Sequence, residues 1–450
     1  MGTLMVSVSG IRGIVGDGLD PIVVARYASA YADFVGKGAV VVGRDSRRTG
    51  ESVAAALVGA LTAKGLDVVD IGVTPTPTVL YAVKTSEARG GVAVSASHNP
   101  NEWNALKLLN AEGEFMTPDE HERMKRALDK TTERFVAWDA VGTISRDPDA
   151  LERHQAAALA MDVLDLDAIR ARKFKVVLDC VNGAGAWFMP EYLRRLGCDV
   201  VEIDCERTGV FPRLPEPLPK NLTKTMTATK EAGADLGLVV DPDVDRLVLI
   251  DERGEPFGEE YTVAMATDFV LSKIKGDAVV NLSTTRAVED IAEREGVKCW
   301  RTPVGEANVV KKMKEVGAAI GGEGSGGVIY PGLHYGRDAL VGSAFALQRL
   351  VEFGGTLSEY KASLPSYQIV KRTFPIGDAD PDAALAKIAE KYAGERVRTD
   401  DGVRVDFEES WAHFRKSNTE PILRVVVEAN TAEEAEREAA KYVEYLETLI

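Results

Sequence analysis

The chain has 450 residues, 45% hydrophobic and 28% charged, with a formal net charge of −16. That length exceeds what one core usually organises and implies three or four domains. The acidic balance argues against nucleic acid and anionic membranes as partners, so a phosphate ligand would need a local basic pocket. No apolar run reaches the roughly 18 residues of a membrane span. The opening MGTLMVSVSGIRG lacks the charged and apolar regions of a signal peptide. Cys180, Cys198, Cys205 and Cys299 stand apart without a CxxC pair and read as reduced thiols, so a cytoplasmic location is expected.

In chain order, AVVVG at 39–43 predicts a buried strand, followed by the loop RDSRRTG, the helix ESVAAALVGALTAKG, the strand LDVVDIG and, after a second helical stretch, GGVAVSASHN. The same order recurs from FKVVLD through CVNGAGA, WFMPEYLRRLG and CDVVEID to DLGLVVDPDVDR. It recurs again from DAVVN through LSTTR, AVEDIAEREG and VKCWRT to AAIGGEGSGG. Branched strands without alternation, joined by helices, predict three related α/β domains with mixed, largely parallel sheets. The last stretch differs. QIVKRTFPI, VRVDF, WAHFRKS and ILRVVVEA read as strands, DPDAALAKIAEKYA and TAEEAEREAAKYVEYLETLI as helices, the latter capped by Thr431. This predicts a fourth, α+β domain. The expected boundaries are 1–148, 149–252, 253–365 and 366–450, with a hinge near Ser366 to Arg372.

Each third strand ends in an unusual loop, and α/β sheets bind ligands beyond the carboxyl ends of their strands. Asp241, Asp243 and Asp245 would share one face of an extended strand but can converge on a turn. Carboxylates so close call for a hard divalent cation, unless the loop is simply a solvated acidic turn. Arg246 follows, able to grip an anion. GGEGSGG at 321–327 is either a flexible turn or a close backbone approach to ligand, with Glu323 and Ser325 able to hold sugar hydroxyls. Arg415, Ser417, Asn418 and Thr419 suit a phosphate dianion or a plain turn. Ser97 and His98 look like a nucleophile with its base. Neighbours in an extended segment point apart, however, and neither a GxSxG elbow nor an acidic partner is evident, so a hydrolase triad is not expected.

SASHNP, DPDVDR, GEGSGG and RKSNTEP in this order, with SGIRG and GRDSR before them, strongly resemble the α-D-phosphohexomutase superfamily: phosphoglucomutases, phosphomannomutases and phosphoglucosamine mutases. The resemblance spans essentially the whole chain. It implies three α/β domains and a fourth resembling the TATA-binding-protein fold, around a central cleft. It implies that Ser97 carries a phosphate and, with Asp241, Asp243 and Asp245, holds Mg²⁺. Arg246 and Lys107 would flank the transferring phosphoryl group, with Lys107 a candidate general acid or base. His98 would shape the loop or touch phosphate. Arg12 and Arg44 would line the cleft, Glu323 and Ser325 would bind sugar hydroxyls, and Arg415, Ser417, Asn418 and Thr419 would bind the phosphate that is not reacting. The implied reaction interconverts hexose 6-phosphate and hexose 1-phosphate through a hexose 1,6-bisphosphate, with sugar phosphates as the only partners of a monomer or homodimer. The form here points to glucosamine 6-phosphate, with a broad phosphomannomutase/phosphoglucomutase as the alternative. Two departures stand out. SVSGIRG replaces FGTSGIRG, and Gly327 replaces the histidine of GE-x-SGH, for which His334 or Lys107 is the expected substitute.

Overall fold

The computed structural model describes residues 2–7, 10–128, 135–377, 379–416 and 422–449. Four sheets follow one another along these residues. In the first, Ala39–Arg44 lies between Asp67–Val73 and Gly90–Val94, both parallel to it. The second places Lys175–Asp179 between Asp199–Ile203 and Leu236–Val240 in the same way. The third places Ala278–Asn281 between Cys299–Thr302 and Ile320–Glu323. All residues of Gly90–Val94, Leu236–Val240 and Ile320–Glu323 are buried, as a strand covered on both faces requires.

The repeat extends one strand further than the sequence pattern predicts. Each third strand reverses into an antiparallel partner: Trp103–Leu109, Leu247–Ile250 and Gly327–Ile329. Each unusual loop is therefore the reversal of a hairpin, and the hairpins are what make the sheets mixed. The first sheet is widened to eight strands by Gly10–Val15, Met5–Ser7, Gly18–Leu19 and the edge strand Ile144–Arg146.

Helix ends follow from local chemistry. Asp20 accepts from Val23 N (2.8 Å) to start Pro21–Val35. Asp338 accepts from Leu340 N (2.9 Å) to start Ala339–Phe353. Thr431 accepts from Glu434 N (3.2 Å) to start Ala432–Glu447, the cap the sequence predicts. Such caps contribute about 1 kcal/mol each.

The second and third units share one hydrophobic core, running from Phe174 and Leu238 to Phe269 and Phe345, whereas the first and fourth have cores of their own. The fourth sheet is antiparallel throughout, in the order Gln368–Pro375, Ile422–Ala429, Ser410–Lys416, Val403–Asp406, Arg396–Arg398. It meets the third unit through polar groups. Arg286 donates to the carbonyls of Phe407 (3.0 Å), Glu408 (2.9 Å) and Ser410 (3.1 Å), Ser283 Oγ lies 2.9 Å from His413 Nδ1, and Val304 N donates to Asp401 Oδ2 (2.8 Å). A polar junction of this kind resembles interfaces that permit domain motion.

Candidate active site

The strand Gly90–Val94 delivers Ser97 to the point where the first and second units meet. Ser97 has φ +48°, in the left-handed region that costs a side-chain-bearing residue about 1–2 kcal/mol. Three contacts hold it there. Its N–H donates to Ser95 Oγ (2.9 Å), and Arg47 Nη2 donates to the carbonyls of Ser97 (2.7 Å) and Asn99 (2.6 Å). The expectation that Ser97 and His98 point apart fails for this reason. The left-handed residue breaks the alternation, and Ser97 Oγ lies 3.3 Å from His98 Nδ1. His98 is nonetheless held neutral, well below the usual histidine range, first by burial and then by Arg246 and Arg12. Burial disfavours charge of either sign, but the two guanidiniums that add to it would favour an anion.

The Ser97 hydroxyl donates to Asp241 Oδ2 at 2.8 Å, across 144 residues of sequence. Asp241, Asp243 and Asp245 are buried, and one carboxylate oxygen of each lies within 4.8 Å of the others. The turn between them closes with Val244 at φ +60° and with Asp245 N and Arg246 N donating to Asp241 Oδ1, both at 3.1 Å. Thr76 of the first unit is bonded to this loop twice, through its hydroxyl to Asp243 Oδ2 and through its N–H to Asp243 O (2.9 Å). Lys107, on the return strand, donates to Asp243 Oδ2 (2.6 Å) and Asp245 Oδ2 (3.3 Å).

These contacts set the protonation states. Burial pushes the Asp241 carboxyl well up, and Asp245 and Asp243 push it further. For Asp243 burial acts in the same direction, but the charge and hydrogen bond of Lys107 outweigh it and hold the carboxyl below the usual range. Burial acts to lower the Lys107 ammonium, but Asp243 and Asp245 outweigh it and raise it above the usual lysine range. Asp243 Oδ1 and Asp245 Oδ1 are buried with no hydrogen-bond donor. Three converging carboxylates with two bare oxygens fit a hard divalent cation, which takes oxygen ligands.

Arg246 and Arg12 bring positive charge to this cluster. Arg246 Nε is buried without a hydrogen-bond acceptor and lies 3.9 Å from Asp245 Oδ1. Arg12 donates to Asn99 Oδ1 (2.6 Å) on the serine loop. Arg44 ends the strand Ala39–Arg44 half-buried, its guanidinium without a partner among the described residues.

Glu323 is joined to this group indirectly. Its Oε1 accepts from Asn281 Nδ2 (2.9 Å) and Gly305 N (3.0 Å), and its Oε2 accepts from Arg337 Nη1 (3.1 Å). Arg337 Nη2 donates in turn to Asp245 Oδ2 (2.7 Å). Ser325 sits half-buried at the apex of the same hairpin. Arg415 Nε pairs with Asp401 Oδ2 (2.8 Å), the oxygen that also accepts from Val304 N, so it reaches the loop that carries Gly305. Ser417, Asn418 and Thr419 lie outside the described residues.

His334 is not brought to this group. It is buried, and its Nε2 lies 3.0 Å from Asp338 Oδ2, to which His154 Nε2 also bonds at 2.9 Å. His154 Nδ1 reaches Thr78 Oγ1 at 2.9 Å, and Tyr81 stacks on its ring at 5.0 Å. This cluster ties the first three units together. The space at Gly327 is filled instead by Arg337, whose Cδ would lie 2.2 Å from a Cβ at that position. Arg47, Thr76, Arg337 and Glu306 are site residues that sequence reasoning missed. Only Arg47 carried a signal, as the last residue of GRDSR.

Comparison with known proteins agrees with this architecture. Family profiles described as phosphoglucomutase/phosphomannomutase match the chain in series: alpha/beta/alpha domain I at residues 4–135, domain II at 152–254, domain III at 257–367 and the C-terminal domain at 371–444. A protein of Methanopyrus kandleri named "Probable phosphoglucosamine mutase" is 35% identical over 440 residues, covering 97% of this chain and 96% of that protein. A Thermococcus kodakarensis protein named "Phosphoglucomutase/phosphomannomutase" is 35% identical over 435 residues, covering 95% and 94%. The crystal structure of a phosphoglucomutase/phosphomannomutase family protein from Burkholderia thailandensis superposes with a TM-score of 0.85 at 26% identity, covering 98% of both chains. Four family domains in unbroken order, and a serine set against three aspartates where the first two meet, make this chain a member of the phosphoglucomutase/phosphomannomutase family, the phosphohexomutases.

Proposed function

We propose that this phosphohexomutase works through a phosphoserine at Ser97 and that its substrate is glucosamine 6-phosphate, converted to glucosamine 1-phosphate. The observation that carries the mechanism is the 2.8 Å contact between Ser97 Oγ and Asp241 beside two bare, buried carboxylate oxygens. Ser97 with Asp241, Asp243 and Asp245 would hold Mg²⁺, which when bound offsets the charge of a phosphoryl group on the serine. The boundaries 148/149, 252/253 and 365/366 leave each sheet whole within one domain.

The chain's own residues account for the transfer. Arg246 and Arg12 supply positive charge at the serine loop without a carboxylate fully claiming either. They are preorganised to neutralise the equatorial oxygens of a phosphoryl group in transit. The bond between phosphorus and Ser97 Oγ breaks as one forms to a sugar hydroxyl oxygen, giving a hexose 1,6-bisphosphate. The proton balance closes on one group: Lys107, held charged by its aspartates, gives a proton to Ser97 Oγ as the serine is released, and the amine it leaves takes up the proton of the attacking hydroxyl. The bisphosphate turns end for end, and its other phosphate goes back to Ser97. Arg44, Glu323 and Ser325 would hold the sugar, and Arg415 with Ser417, Asn418 and Thr419 the distal phosphate. The polar junction of the fourth unit, with a hinge near Ser366 to Arg372, supports opening for that turn.

A broad phosphomannomutase/phosphoglucomutase is the second reading, favoured by the name of the Thermococcus kodakarensis relative. Comparing kcat/KM for glucosamine, mannose and glucose 6-phosphates tests the substrate. Glucosamine 6-phosphate is expected to lead, and a lead for either neutral sugar overturns that assignment. Phosphorus NMR of the products tests the reaction: positional exchange is expected, and net release of inorganic phosphate contradicts it.

A further inference from the structure

Residue 327 is closed to any side chain. A Cβ there would lie 2.2 Å from Cδ and 2.8 Å from Cγ of Arg337, far inside van der Waals contact. Arg337 enters this space from ten residues on, where it forms a bridge with Ile329 of the return strand. Its side chain is only 10% exposed. Each nitrogen of its guanidinium donates to a carboxylate. Nη2 donates to Asp245 Oδ2 (2.7 Å), Nη1 to Glu323 Oε2 (3.1 Å) and Nε to Glu306 Oε2 (2.8 Å). Its backbone N–H adds a bond to Glu306 Oε1 (3.2 Å).

Those three acids come from three separate segments: the aspartate loop, the glycine-rich loop, and the start of the helix Glu306–Val316. A planar fork of five N–H groups can satisfy all three at once, and an ammonium on a flexible stem cannot hold the same geometry. The consequences are specific. With Oδ2 of Asp245 occupied by Arg337 and Lys107, its Oδ1 is the oxygen left bare. With Oε2 of Glu323 occupied by Arg337 and Oε1 by Asn281 and Gly305, the carboxylate plane is fixed. Without Arg337, three buried acids would face one another with one counter-charge fewer. Burial already pushes Glu306 up to about 7, despite Arg337.

We propose that Arg337 is a positioning residue that couples the metal-binding loop to the sugar-binding loop, and that Gly327 exists to admit it, so the two positions act as one device. This rests on the mutase reading above. The test is a double-mutant cycle of Gly327→Ala and Arg337→Ala, with Arg337→Lys as the charge-conserving control. Two readouts are used: Mg²⁺ affinity by calorimetry on the resting protein, and kcat/KM for the sugar phosphate.

Each single alanine variant is expected to weaken Mg²⁺ binding by about tenfold or more, the usual effect of losing a group that orients a metal ligand. Arg337→Lys is expected to stay folded but not to recover the affinity. In the double variant, removal of the arginine side chain leaves room for a methyl group at position 327, so it should match Arg337→Ala within about twofold. Losses that multiply in the double variant, or a silent Gly327→Ala, overturn the proposal. If Arg337→Ala does not fold, Gly327→Ala against wild type and against Gly327→Ala/Arg337→Lys decides the same question. A wild-type protein without positional exchange would instead defeat the mutase reading, and the Mg²⁺ cycle would still report on the coupling.

Discussion

Replacing Lys107 with methionine should weaken the protein and strengthen its grip on a divalent cation at the same time. The ammonium is buried, 2.6 Å from Asp243 and 3.3 Å from Asp245. Methionine keeps most of the volume and removes the charge, leaving two buried carboxylates short of a partner. Breaking a buried pair in this way costs about 3–5 kcal/mol. At about 2–4 °C per kcal/mol for a unit of 150–250 residues, the metal-free Tm should fall by about 6–20 °C. The same deletion removes a competitor for the cation without freeing the loop: the hydrogen bonds of Lys107 go only to the aspartate loop, which Thr76 and Arg337 still hold, whereas loss of Arg337 would release Asp245 from Glu323 and Glu306. A unit charge about 4 Å from another is worth about 4 kcal/mol at an effective dielectric of 20, and a third of that is tenfold in Kd. The variant should therefore bind Mg²⁺ about tenfold tighter or better and show a larger Mg²⁺-induced rise in Tm than wild type, while losing phosphoryl transfer. Differential scanning calorimetry with and without Mg²⁺, and titration calorimetry, read both effects. A metal-free Tm within about 1 °C of wild type, or weaker Mg²⁺ binding in the variant, would refute the reasoning.

Chelation should abolish positional exchange and added Mg²⁺ restore it. Asp243→Asn should lower kcat by about 10²-fold or more, the scale for losing a preorganised electrostatic group, and its Mg²⁺ titration should show the affinity loss directly. Glu260, buried beneath the glycine-rich loop, has its carboxyl pushed up to about 8 by burial, against the opposing charge of Lys371. A raised folded-state value stabilises the protein fully below the ordinary carboxylate range and loses that contribution as pH rises to about 8. Glu260→Gln should flatten the fall in stability between pH 5 and 8 by up to about 1.4 kcal/mol per pH unit, seen as a smaller drop in Tm. His334→Ala should lower Tm through loss of the Asp338 cluster while leaving KM within about twofold, because a buried network contributes to stability and not to contact with sugar. A raised KM at unchanged Tm would place His334 at the substrate.

The three-fold repeat was legible because buried branched strands and helical stretches announce themselves locally, and so was the arrival of Ser97 and the aspartates at strand ends. The return strands were less so. Gly327–Ile329 is three residues long, too short for any periodicity. The failures at the site share one cause. Arg337 reaches Asp245 across 92 residues and Thr76 reaches Asp243 across 167, contacts set by how units dock and not by any local pattern. His334 stands seven residues past Gly327, but the return strand and the turn after it carry its side chain to Asp338 and His154. Ser97 and His98 illustrate the converse. Alternation is a rule for extended backbone, and one left-handed residue suspends it.

The most direct test is the covalent state of the serine. After incubation with hexose 1,6-bisphosphate, intact-mass and peptide spectra should show one phosphoryl group, on Ser97, that chases into hexose monophosphate. Ser97→Ala should carry none and should show no positional exchange. Undiminished exchange in Ser97→Ala, or a phosphoryl group that settles on another residue, would contradict the account.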